Sequence, residues 1–139
     1  MLRISLVTLG VADVPAATRF YEELGLVKSH ISGDSVAFFQ MGPVVLALFG
    51  RKDAEEDGNA GGVWTGNGGI TLAQNVGSTA EVDSLMARAA AAGATILKEP
   101  QQAFWGGYHA FFADPDGHVW EIAHNPGFAL DASGAVLLP

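Results

Sequence analysis

Residues 108–124 read YHAFFADPDGHVWEIAH, and this stretch decides the fold. Two apolar, aromatic-rich runs, Tyr108–Ala113 and His118–His124, flank Asp114-Pro115-Asp116-Gly117. Pro presets a turn dihedral, Gly accepts positive φ, and Asp bonds to nearby backbone, so the stretch reads as a hairpin. Its parts have an earlier copy. Ala110-Phe111-Phe112 repeats Ala37-Phe38-Phe39 at an offset of 73, and Gly117…Glu121 repeats Gly42…Leu46 at an offset of 75. The change of two residues fits a longer turn in the second copy. Val36–Met41 and Val44–Phe49, around Gly42-Pro43, therefore make an earlier hairpin.

Outward from each hairpin the repeat continues. Residues 4–12, ISLVTLGVA, resemble residues 67–75, NGGITLAQN. A helix follows each. In the first, Asp13 caps, Pro15 suits the first turn, Val14, Ala17, Phe20, Tyr21 and Leu24 form the apolar stripe, and Gly25 ends it. In the second, Ser78 and Glu81 have capping-box spacing, Val82, Leu85, Met86 and Ala89 form the stripe, and Gly93 ends it. Strands near Leu26–Ser32 and Thr95–Lys98 complete a βαβββ unit in each half. The expected organisation is one domain over 1–139. Module one covers about 1–50 and module two about 67–126. A charged, then glycine-rich connector (51–66) reads as a flexible link or lid, and a tail (127–139) ends in the apolar Ala135-Val136-Leu137-Leu138, which reads as docking on the fold or on a partner subunit. The fold class is α+β, with two packed sheets.

Composition narrows the function. The chain has 139 residues, ample for one core. Its net charge of −8 argues against nucleic acid and anionic membrane surfaces as partners. Charged residues are only 16%, against about 25% in ordinary domains, which suggests that a second subunit covers some surface. With no cysteine, disulfides, thiolate metal sites and cysteine nucleophiles are excluded. No apolar run approaches the roughly 18 residues of a membrane span, and the strand-like N-terminus lacks a cleavage signal, so a cytoplasmic location is expected.

Two βαβββ units closing on a DPDG-x-x-x-E segment resemble the vicinal oxygen chelate superfamily, which includes glyoxalase I, extradiol dioxygenases, and fosfomycin and bleomycin resistance proteins. Leu9-Gly10-Val11-Ala12-Asp13, Phe20-Tyr21, Leu24-Gly25 and Asp114–Glu121 carry the resemblance, which covers nearly the whole chain. It implies sheets curled round a cleft with helices outside, and often a homodimer. In the metal-dependent members, ligands come from the first and last strands of each unit. Those slots map here to Leu6, Leu46, Gly69 and Glu121. Only Glu121 offers a metal donor, and one carboxylate does not hold a catalytic metal. No metal and no cofactor are expected.

Strand alternation gives a separate expectation. With Glu121 inward, Val119, Ala123, Tyr108, Ala110 and Phe112 share its face, while His109, His118 and His124 fall on the opposite one with Phe111 and Trp120. In module one, Ala37, Phe39, Met41, Val44, Leu46 and Leu48 point inward. A one-residue bulge would flip part of this assignment. The resulting cleft is apolar and aromatic, lined by Leu6, Phe39, Leu46, Leu48, Tyr108, Phe112 and Val119, with hydroxyls from Thr8 and Thr71. Such a lining with few polar groups suits a small-molecule site. Phe104 and Trp105, beside Gly106-Gly107, either wall a ligand or plug the cleft, and Trp64 reads the same way. Glu121 is either a structural carboxylate or the group that recognises a ligand or acts as general acid/base. Asp114 and Asp116 are turn formers.

The expected function is metal-independent binding of a hydrophobic or cationic aromatic compound, with ligand-binding residues Leu6, Phe39, Leu46, Thr71, Trp105, Tyr108, Phe112 and Glu121. The resemblance to bleomycin resistance proteins implies sequestration. The alternatives are a lyase, isomerase or dioxygenase with a non-standard metal site, a metal-free enzyme with Glu121 as general base, and a subunit whose cleft is vestigial.

Overall fold

Helix α1 (Val14–Glu23) starts at its expected cap: Asp13 Oδ1 accepts the Ala16 N–H at 2.8 Å, and Pro15 occupies the first turn. Helix α3 (Thr79–Ala91) starts with the capping box, in which Ser78 Oγ accepts the Glu81 N–H and its hydroxyl donates to the Glu81 carboxylate. Gly25 and Gly93, at φ 98° and 103°, close the two helices in the left-handed conformation. These signals organise a computed structural model that describes residues 2, 4–58 and 70–139. The chain divides into two units, Met1–Gly69 and Ile70–Pro139. The architecture is α+β.

In the first unit, β1 (Leu6–Val11), β2 (Val36–Met41) and β3 (Val44–Gly50) form a mixed sheet in the order β1-β3-β2, with β1 parallel to β3. The Gly42-Pro43 turn pairs Met41 with Val44 and hence Phe39 with Leu46. Phe39 is fully buried, with its ring centroid 6.2 Å from that of Tyr21 on α1. The strand expected near Leu26–Ser32 is reduced to one bridge, Lys28 to Phe39. The chain turns there instead: Ser32 N–H donates to the Ser29 carbonyl, and Ser32 Oγ accepts from Phe38 N–H, so the segment curls back on β2. Of the connector, residues 51–58 are among those described. Its charged half is helix α2 (Arg51–Asp57), with Asp53 in the first turn and Ala54 buried.

In the second unit, β4 (Thr71–Asn75), β5 (Thr95–Gln102), β6 (Tyr108–Ala113) and β7 (Val119–His124) form a sheet in the order β4-β7-β6-β5. Helix α3 packs on one side. Its Val82, Met86 and Ala89 are buried, as are Ala110, Phe112 and Ile122 of the sheet. Phe112 and Trp120 stack with ring planes 9° apart. The tail forms a small hairpin of β8 (Ala129–Leu130) and β9 (Val136–Leu137). Asp131 ties its loop, accepting from the Ser133 hydroxyl and from the N–H groups of Ser133 and Ala135. Those bonds hold its carboxyl below the ordinary range.

The β6–β7 connection spans five residues, Asp114–His118, because Ala113 pairs with Val119. Asp114 builds it: one carboxylate oxygen accepts the N–H groups of Asp116 at 3.0 Å and His118 at 2.8 Å, and the Asp114 N–H donates to the His118 carbonyl at 2.9 Å. Gly117, at φ 86°, allows the return.

Two outcomes follow from this packing. Phe39→Ala and Phe112→Ala each remove a buried ring, and urea denaturation should show a loss of about 3–5 kcal/mol for each. Asp114→Ala strands two backbone donors and should cost about 1–3 kcal/mol in the same measurement.

Candidate functional site

The five-residue connection sets which side chains meet. A four-residue turn would place Ala110 opposite Glu121. The observed register instead pairs Phe111 with Glu121 and His109 with Ala123. A slip of one residue sends every side chain of a strand to the other face. Tyr108, Ala110 and Phe112 therefore face α3, where the Tyr108 hydroxyl donates to Asp83 at 2.6 Å. That bond, with the Asp83 charge, holds the phenol above its ordinary range. Glu121 lies on the far face with His109 and Phe111. The expectation that no histidine shares its face is corrected on this ground.

One row crosses the far face through the strand pairs Lys98–Phe111, Phe111–Glu121 and Glu121–Ala73. Lys98 joins the row because β5 shifts register on both sides of it. Pro100, which has no N–H to give the ladder, lies within the second shift. His109 bridges the row from the next position on β6. It is 5% exposed, with Nε2 3.1 Å from Lys98 Nζ and Nδ1 3.6 Å from Glu121 Oε2. An ammonium has only protons to donate, so Nε2 is the acceptor in this contact and the ring N–H is on Nδ1, the nitrogen nearer Glu121. Nδ1 has no hydrogen-bond partner among the described residues. Glu121 keeps 26% of its side chain exposed. Lys98 Nζ lies 6.0 Å from the Phe111 ring centroid, and the rings of Phe111 and Trp105 both meet the imidazole edge-on.

The glycines around Trp105 have separate jobs. Gly106, at φ 97°, makes the turn between β5 and β6. Gly107 makes room, since a Cβ there would lie 1.9 Å from the Trp105 ring and 2.6 Å from the His124 carbonyl. Trp105 thus folds over Gly107 to reach His109, while Phe104 is fully exposed.

The expected site residues divide accordingly. Thr71 and Glu121 are on the far face of the second sheet, and Trp105 lies against His109 beside it, at the end away from Thr71. Tyr108 and Phe112 are on the helix side. In the first unit Phe39 and Leu46 are also on the helix side, packed below Tyr21, because alternation fixes which residues share a face but not which face a helix covers. Leu6 is on the face away from α1, where it pairs with Val45 and is half exposed. Gly69 and Trp64 lie outside the described residues. Register also revises the correspondence between the repeats. Phe38 pairs with Ala47 and Phe111 with Glu121, so the counterpart of Glu121 is Ala47 rather than Leu46. That of Leu6 is Thr71, since Val45 and Val119 are their partners. Sequence reasoning missed Lys98, His109 and Phe111. The signal was the odd length of the Asp114–His118 connection.

This group does not fit a divalent cation. Among the described residues no three His, Asp or Glu side chains converge. A metal on His109 Nδ1 would put the ring proton on Nε2, where it would face the Lys98 ammonium donor to donor.

Helix-backed mixed sheets in two units, with a carboxylate on the strand that follows the Asp114–Gly117 turn, are features of glyoxalase-type folds. A model of the Glyoxalase/Bleomycin resistance protein/Dioxygenase superfamily matches residues 3–122, and the chain belongs to that superfamily. No curated protein sequence matches. Among solved structures, a glyoxalase-related enzyme from Fulvimarina pelagi is 36% identical, with a TM-score of 0.92 and 99% of each chain covered. A glyoxalase/bleomycin resistance protein/dioxygenase family enzyme from Burkholderia phytofirmans PsJN is 25% identical, with a TM-score of 0.79 over 88% of this chain and 98% of that one. A lactoylglutathione lyase from Agrobacterium tumefaciens shares the fold at 24% identity, with a TM-score of 0.69 over 90% and 95% of the two chains.

Gly107→Ala should expel the Trp105 ring from its contact with His109. The imidazole proton resonances should lose the ring-current shift of the indole, and unchanged resonances would refute the placement.

Proposed function

We propose that this chain is a metal-independent small-molecule-binding member of its superfamily, and that its ligand lies on the far face of the second sheet. The observation that supports this reading is the buried His109, held between Lys98 and Glu121 and flanked by Phe111 and Trp105. A few fixed polar groups among aromatic surfaces are what orient and hold a small organic molecule. A homodimer belongs to the same reading, and the low charged fraction supports it. The expectation of a cationic ligand rests on the net charge alone, and the local charges at this face are a better guide.

A second reading has one observation in its favour. Glu121, with His109 Nδ1 3.6 Å from its Oε2, can accept a proton from a bound substrate, as a general base does. Under that reading Glu121→Gln abolishes turnover while leaving ligand affinity within a few-fold.

Elemental analysis of tag-free protein, followed by fluorescence titration with aromatic ligands, tests the principal reading. The expected result is metal well below one per chain and saturable quenching that weakens about tenfold in Trp105→Ala. A stoichiometric metal, needed for binding, would overturn it.

A further inference from the structure

The row Lys98–Phe111–Glu121 sets a cation and a carboxylate on either side of an aromatic ring, on three adjacent strands. Two strand spacings, about 10 Å, separate the backbones at its ends, and the imidazole that links the two charged groups holds Nζ and Oε2 somewhat closer than that. The cation is conspicuous. The second unit has only two Lys or Arg residues, Arg88 on α3 and Lys98. Among the described residues no carboxylate lies within 4.0 Å of Lys98 Nζ. Its polar neighbour is His109 Nε2, an imidazole nitrogen that carries no negative charge to neutralise it. Among the described residues no Lys or Arg lies within 4.0 Å of the Glu121 carboxylate at the other end, whose neighbour is the imidazole at 3.6 Å. His109 stands between the two, so they do not collapse into an ion pair. A half-buried ammonium and carboxylate kept apart in this way each retain unused bonding capacity. Charge-assisted hydrogen bonds to a ligand are the strong way to use it. Beyond Glu121 the row ends in the small, exposed Ala73, which leaves room above the sheet.

We infer that the ligand is a planar aromatic acid of roughly naphthalene length, its carboxylate on Lys98 and a hydroxyl or amino donor at its other end on Glu121. This rests on the reading of the far face as a small-molecule site and specifies the ligand's chemistry. It also reverses the polarity expected from the net charge of −8. A long-range negative field acts on encounter rates, whereas the group a ligand finally touches decides which one stays.

Three compounds of one shape separate the possibilities: 6-hydroxy-2-naphthoate, 2-naphthoate and 2-naphthol. Each is titrated by fluorescence into the wild-type chain and into Lys98→Met, Lys98→Arg and Glu121→Ala, with folding of each variant checked by circular dichroism. The expected order of affinity is 6-hydroxy-2-naphthoate, then 2-naphthoate, then 2-naphthol. Lys98→Met should weaken both acids by about tenfold or more and leave 2-naphthol unchanged. Lys98→Arg should keep most of the acid binding, which separates loss of charge from loss of fold. Glu121→Ala should erase the advantage of the hydroxyl-bearing acid over 2-naphthoate. If 2-naphthol binds as tightly as the acids, or Lys98→Met binds all three as the wild type does, the inference on ligand class is overturned and the small-molecule site stands. If none of the three binds, both the inference and the site reading fall.

Discussion

Asp114 gathers the N–H groups of Asp116 and His118 onto one carboxylate oxygen and closes the loop with its own N–H on the His118 carbonyl. The connection so made has an odd number of residues. Side chains alternate along a strand, so an odd connection pairs Phe111, and not Ala110, with Glu121. The rest of the second unit depends on that parity. Phe112 and Tyr108 go to α3, where the stack on Trp120 and the bond to Asp83 hold them. His109 goes to the face of Glu121, where its imidazole links a lysine to a carboxylate. A turn one residue shorter would set Ala110 opposite Glu121 and put His109 and Glu121 on opposite faces.

The polar group on the far face is held mostly by its aromatic surroundings. His109 is buried with an unsatisfied Nδ1, which costs stability. Edge-on contacts from Phe111 and Trp105 and the bond from Lys98 offset part of that cost. Trp105 reaches the ring only because Gly107 has no Cβ. A glycine, a tryptophan and a histidine in the span Trp105–His109 therefore act as one unit. Lys98 is added from β5 by an irregular stretch that a regular strand would not make.

Local signals were legible in the sequence where a short-range rule governs them. Asp13 and Ser78 cap the helices, and Gly42-Pro43 sets the register of the first hairpin, because each acts on backbone a few residues away. The family resemblance likewise came from ordered local motifs, and the superfamily match supports it. The faces were not legible. Phe39 and Leu46 do share one side, yet whether α1 covers that side is decided by tertiary packing. DPDG announces a turn without fixing whether His118 belongs to it. Lys98 shares a face with Phe111 only through two register shifts, which no alternation pattern encodes. Leu26–Ser32 has the composition of a strand, but serine hydroxyl bonds turn it aside.

The corrected correspondence between the two halves carries one more consequence. Phe38 and Phe111 are equivalent floors, and at the next strand Ala47 stands where Glu121 stands. Ala47 is almost wholly buried, whereas Glu121 is partly in water. A carboxylate introduced at Ala47 would have to shed its hydration with no imidazole paired alongside it. The duplicated strands of the two units thus share a scaffold, and the second unit alone sets a lysine, an imidazole and a carboxylate on the face that its own helix leaves uncovered.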